Sequence, residues 1–174
     1  MSTNPPRNSN WNNNRIFRRG EVYMAYLDKE GKLGQESTHR IYGPHRVVVL
    51  YDSAFPRKTV LVVPITSQFD SKGNPKRMIP TDVPLEASVY HDAGFTYSGT
   101  IEADSYIKTE QIMAISRAKL EDKYGELMPI DMASLDIQLI STLGLQNTVN
   151  QFVQDKVAEK LAELGIENDV EQGD

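Results

Sequence analysis

Hydrophobic and polar positions change period once along the chain, from strand-like to helix-like. Residues 21–27, Glu-Val-Tyr-Met-Ala-Tyr-Leu, read as a strand, and turn-forming residues 28–34 follow. Val47-Val48-Val49-Leu50-Tyr51 is a β-branched run too short for a helix, and it predicts a buried strand. Residues 59–65 predict another, after a Phe55-Pro56-Arg57-Lys58 turn. Pro80 and Pro84 bracket Thr81-Asp82-Val83, the pattern of an edge or bulged strand. Residues 97–101 and 106–115 complete a set of short strands at the spacing of a small antiparallel barrel.

From Pro129 the period becomes helical. Proline suits a first helical position because its missing N–H needs no partner there. Met132, Leu135, Leu139, Ile140 and Leu143 recur at helical spacing, so one face packs on the strands, and Gly144 ends or kinks the helix. A second set, Val149, Phe152, Val153, Val157, Leu161 and Leu164, predicts another helix that Gly165 terminates. The fold class is mainly β with α. Three regions follow: a leader over 1–17, a barrel domain over 18–146 and an amphipathic helical tail over 147–174.

Composition narrows the chemistry. The 174 residues contain no cysteine, which excludes disulfides, thiolate zinc sites and a cysteine nucleophile. No apolar run is long enough to span a bilayer, and residues 1–14 hold no signal-peptide core, so a cytoplasmic protein without a membrane partner is expected. Six Asn surround the single Trp11 in those fourteen residues, a composition expected to stay disordered. The net charge of −5 argues at first against a polyanionic partner. It is unevenly spread. Arg7, Arg15 and Arg18 give residues 1–18 a charge of +3, while residues 151–174 set two lysines against seven acids. The body between is only mildly acidic.

Four collinear stretches resemble the MazF/PemK/Kid toxins, the endoribonucleases of type II toxin–antitoxin systems. Arg19-Gly20-Glu21-Val22-Tyr23, with Leu27-Asp28 after it, resembles the family's opening strand. Val47-Val48-Val49-Leu50 resembles its second strand. Val62-Val63-Pro64-Ile65-Thr66-Ser67-Gln68 resembles the V-x-P-[IV]-T-S element that carries an active-site threonine. Asp104-Ser105-Tyr106-Ile107-Lys108-Thr109-Glu110-Gln111-Ile112-Met113-Ala114-Ile115 resembles D-S-V-V-x-[CL]-[DE]-Q-I-R-T-I. Lys119-Leu120, Gly125-Glu126-Leu127 and Leu143-Gly144-Leu145 continue the likeness, which covers residues 18–146 in order.

The resemblance implies an SH3-like antiparallel barrel with a C-terminal helix, forming a homodimer whose interface makes an RNA groove. It implies cleavage of single-stranded RNA to a 2′,3′-cyclic phosphate and a 5′-hydroxyl with no metal and no cofactor. It also implies a cognate antitoxin that occupies the groove, and DNA binding together with that antitoxin.

Attack of a 2′-hydroxyl on its own phosphate needs a base, an acid for the leaving oxygen and donors for the phosphoryl oxygens. The family's arginine slot aligns on His45 and its proline slot on Arg46. Neighbouring strand residues point to opposite faces, so one of the two faces the groove unless the strand bulges. His45 there is a general acid or base; Arg46 there is a phosphate clamp. Thr66, with Ser67 and Gln68 after it, offers hydroxyl and N–H donors. Glu110 and Gln111 match the [DE]-Q pair, and Lys108 shares a strand face with Glu110, so the carboxylate is a candidate catalytic base with the amine steadying phosphate, or the two form a surface ion pair. Met113 stands where the family has arginine. Gln35 occupies a slot that holds His in some members, and His39, Arg40 and Tyr42 follow in a loop longer than the family's. Lys72, Lys76 and Arg77 form a local basic patch, and His91 has no motif around it. The departures keep a second function open: an impaired relative that binds RNA or a peptide without cutting. A gyrase-poisoning toxin of the CcdB branch ranks below both, because that branch lacks the P-[IV]-T-S and [DE]-Q-I elements.

Overall fold

The computed structural model describes residues 15–28 and 40–165. Seven strands and three helices follow in the order β1 (Glu21–Leu27), β2 (Gly43–Val49), β3 (Thr59–Ser67), β4 (Asp82–Leu85), α1 (Ala87–His91), β5 (Ser105–Lys108), β6 (Met113–Ser116), β7 (Leu120–Glu126), α2 (Pro129–Thr142) and α3 (Gln146–Glu163). The strands form one antiparallel sheet in the order β4-β5-β3-β2-β1-β7, with β6 also on β3. The sheet does not close, so the barrel description holds only loosely.

β3 organises the sheet because it is long enough to serve two partners on one side. Its first half pairs with β6, Val60 opposite Ile115, and its second half pairs with β5, Thr66 opposite Tyr106. Residues 106–115 are therefore two strands and not the single one expected. Between them a 3₁₀ turn, Thr109–Gln111, redirects the chain. The fully buried Thr109 holds that turn, its hydroxyl donating to Thr81 O at 2.5 Å and lying 2.9 Å from Thr142 Oγ1.

Alternation sends successive residues of the apolar runs into two cores. Val48, Val63, Ile65 and Ile107 pack on one face with Leu135 of α2 and Tyr90 of α1. Val47, Val49, Val60 and Val62 pack on the other with Tyr23 and Leu120. Both faces are covered, which explains why these strands read as continuous hydrophobic runs.

Three further expectations change. Residues 97–101 form turns, not a strand: Thr100 N donates to Tyr97 O at 3.0 Å, and Gly99 has φ of +82°. β7 shows no strand-like alternation in the sequence, because Glu121, Asp122 and Lys123 are all exposed on this edge strand. β2 begins at Gly43, so Pro44, His45 and Arg46 belong to the strand.

α2 starts at Pro129 and is tied to α1 through Tyr90, which donates to Asp131 Oδ2 at 2.6 Å and accepts from Met128 N. Gly144, with φ of +67°, separates α2 from α3. α3 buries none of its residues and leaves Phe152, Val153 and Val157 at least half exposed. Residues 1–14 of the leader, the acidic end over 166–174 and the loop over 29–39 lie outside the described residues, whereas Phe17, expected to be part of the leader, is fully buried in the core and bridges to Ser53.

Candidate functional site

The site is built by strand register. Pro84 pairs with Tyr106, and Tyr106 with Thr66, so these side chains form one cross-strand row. His45 continues the row on β2, its ring Nδ1 lying 3.3 Å from Ile65 O, beside Thr66. His45 shares a face with Val47 and Val49, as Thr66 does with Val62. Both side chains are half-buried at the rim of that core.

Arg46 projects to the opposite face. Its guanidinium donates to Thr100 O at 3.2 Å, pairs with Glu102 at 2.5 Å and lies 4.3 Å over the Tyr124 ring. Only 16% of its side chain is exposed. Lys108 is equally engaged: its Nζ lies 2.7 Å from Asp82 Oδ1 and 2.9 Å from Oδ2, and the Asp82 side chain is fully buried.

Beyond Thr66 the chain enters a hairpin that ends in a bridge between Phe69 and Pro75. Ser67 Oγ accepts from Phe69 N at 3.0 Å. Gln68 donates from Nε2 to Ser105 O at 3.3 Å and lines a cleft of about 360 Å³ with Met78, Pro84, Glu86, Asp104 and Tyr106. Asp70 folds the hairpin tip by accepting from Lys72 N at 2.8 Å and from Asn74 N at 2.9 Å. These bonds hold its carboxyl below the usual range. From the returning limb Lys76 donates to Thr66 Oγ1 at 3.0 Å.

Arg40, Glu110, Gln111, Ile112 and Met113 line a second cleft of about 410 Å³. The strand face expected to join Lys108 and Glu110 ends at Lys108, because the 3₁₀ turn begins at Thr109; Glu110 instead accepts from the Thr81 hydroxyl at 3.2 Å, and Gln111 Oε1 accepts from Ile41 N at 2.8 Å. Met113, in the family's arginine slot, is buried in the core.

The candidates therefore fall into two groups: His45, Thr66, Ser67 and Gln68 near the end of β3, and Arg40, Glu110 and Gln111 around the 3₁₀ turn. Gln35 and His39 lie outside the described residues. Sequence reasoning placed Lys76 only in a basic patch. The signal that would have paired it with Thr66 is the Asp70-to-Asn74 turn, which folds the following residues back along β3.

Residues 18–143 match the family described as PemK-like, MazF-like toxin of type II toxin–antitoxin system. The chain belongs to this family. Several solved structures are similar to it at low identity. MazF from Deinococcus radiodurans is 14% identical over 75% of this chain and 99% of its own, with a TM-score of 0.51. An endoribonuclease in complex with its cognate antitoxin, from a mycobacterial species, is 21% identical over 74% of this chain and 95% of its own, at 0.46. The toxin MazF-mt6 of Mycobacterium tuberculosis is 18% identical over 71% and 96%, at 0.47. α3 begins beyond the part of the chain that matches the PemK-like family. Among the described residues no helix is long and apolar enough to cross a membrane, and no group of three or more His, Asp or Glu is gathered as metal ligands.

Proposed function

We propose that this PemK-like protein is a toxin endoribonuclease that cuts single-stranded RNA by attack of a 2′-hydroxyl on the adjacent phosphate. The observation that carries this reading is His45 beside Thr66 on one face of the sheet, with Nδ1 3.3 Å from Ile65 O. A carbonyl only accepts, so Nδ1 carries the proton in that contact and Nε2 presents its lone pair. Nε2 takes the 2′ proton as the 2′ oxygen bonds to phosphorus. Thr66 donates to a non-bridging phosphoryl oxygen, and the bond to the 5′ oxygen breaks as that oxygen takes a proton from solvent water, the hydroxide being neutralised by the proton held on His45. The products are a 2′,3′-cyclic phosphate and a 5′-hydroxyl.

Arg40, Glu110 and Gln111 hold flanking nucleotides in this reading: the guanidinium meets a phosphate, and the two acceptors meet base edges. Ser67 and Gln68 line the path along β3. Arg46 and Lys108 act through the fold, because their charges are held by Glu102 and Asp82. A homodimer, a cytoplasmic location and a cognate antitoxin complete the proposal; one relative was solved with such an antitoxin.

The engaged Arg46 and the buried Met113 favour one other reading, a relative that binds RNA without cutting it. Incubation of the purified protein with long mixed-sequence RNA in EDTA separates the two. Discrete fragments with 5′-hydroxyl ends are expected, with loss of about 100-fold or more in rate for His45→Ala and for Thr66→Ala. Bound but intact RNA at micromolar protein overturns the enzyme and leaves the binding protein.

A further inference from the structure

We infer that Lys76 is the cation that binds the scissile phosphoryl group together with Thr66; this rests on the ribonuclease reading and adds the residue that supplies its positive charge. Phosphoryl transfer accumulates negative charge on the non-bridging oxygens, and a site without a positive group leaves that charge unbalanced. The two cations that the strands themselves carry near the row are occupied. Arg46 points to the other face and pairs with Glu102, and Lys108 is clamped by the buried Asp82. Lys76 arrives from a different element, and its Nζ lies 3.0 Å from Thr66 Oγ1.

The direction of that bond matters. An ammonium can only donate, so the threonine oxygen is the acceptor and its own hydrogen is turned elsewhere. Thr66 O–H and the remaining Nζ hydrogens then form two adjacent donors on the face that carries His45. Two convergent donors, one of them charged, make a site for a phosphoryl oxygen. The hairpin places the lysine firmly: Lys76 N donates to Gln68 O at 2.7 Å, and Asp70 N donates to Asn74 O at 2.9 Å. Three further bonds from Lys72 N, Asn74 N and Asn74 Nδ2 to the Asp70 carboxylate close the tip. The lysine side chain itself is exposed, so its replacement leaves the core intact.

The test compares wild type, Lys76→Met, Lys76→Arg and Thr66→Ala in single-turnover cleavage of one RNA oligonucleotide. Binding of the same oligonucleotide with a 2′-deoxy nucleotide at the cut is measured in parallel. For Lys76→Met the expected result is a cleavage rate lower by about 100-fold, with affinity for the uncleavable RNA changed less than about threefold. Lys76→Arg recovers at least about tenfold of that loss, because the charge is kept. Wild-type cleavage by Lys76→Met, beside an inactive Thr66→Ala, overturns the lysine assignment while the ribonuclease stands. A loss confined to affinity overturns it too, since it marks general backbone attraction. Intact RNA with the wild type removes the ribonuclease reading itself. Unfolding midpoints of all four proteins, expected within about 2 °C, exclude misfolding as the cause.

Discussion

The Arg46 guanidinium lies 4.3 Å over the ring of Tyr124, clamped there by Glu102 and by Thr100 O. This ties β2 to β7 and to the turn before β5, three parts of the chain far apart in sequence. Arg46→Ala is expected to cost about 1–3 kcal/mol in urea unfolding, through the lost stacking, packing and hydrogen bond. Arg46→Lys recovers little, because an ammonium cannot reproduce both the stack and the fork. A double-mutant cycle with Tyr124→Leu should return a coupling of about 0.5–2 kcal/mol; additive losses would show that the stack contributes nothing.

Lys108 neutralises a carboxylate with no access to water. Lys108→Met leaves the Asp82 carboxylate buried with its Ile79 N–H bond but no countercharge. The expected loss is about 3–5 kcal/mol. Adding Asp82→Leu should restore most of it, since an apolar pair replaces the ion pair without an orphaned charge. A double variant as unstable as the single one would refute this account.

Gly125 is required by both backbone and space. Its φ is +155°, and a Cβ there would sit 1.9 Å from Thr100 Oγ1 and 2.9 Å from Thr96 O. Gly125→Ala should destabilise by more than about 2 kcal/mol. Thr100→Val is expected to be neutral or stabilising by about 1 kcal/mol, because its buried hydroxyl has no hydrogen-bond partner among the described residues. Thermal unfolding checks both signs.

Stability should fall at both ends of the pH range through one cluster. Burial alone would raise the Glu21 carboxyl, but bonds from Lys123, the Arg18 N–H and the Tyr23 hydroxyl outweigh it and hold it below the usual value. A carboxyl depressed in the fold contributes stability above its unfolded pKa, and that contribution is lost as pH falls through the folded value. Burial alone would lower Lys123, yet Glu126 and Glu21 raise it above the usual value. Its contribution is complete below the unfolded pKa and disappears as pH rises through the raised one. Unfolding midpoints measured across pH should show both limbs in wild type, and Glu21→Gln should flatten the acid limb. An unchanged acid limb in that variant would locate the dependence elsewhere.

The strands over 21–27, 47–49 and 59–65, the helix beginning at Pro129 and the family motifs were legible in the sequence, because alternation, helical period and local turn chemistry are short-range properties. The opposite faces of His45 and Arg46 were also legible, but not which face meets Thr66. That depends on the pairing of β2 with β3 and on whether Glu102 and Tyr124 arrive to hold the arginine. The same holds for Lys108, whose countercharge lies 26 residues upstream in Asp82. It holds for residues 106–115, where the buried Thr109 turns one apparent strand into two. The sequence by itself determined the apolar strands, the helices after residue 128 and the residue types available for chemistry. Only the tertiary structure decided which charges are neutralised and which stand beside Thr66, because register and cross-strand partners are set by long-range pairing that no local window contains.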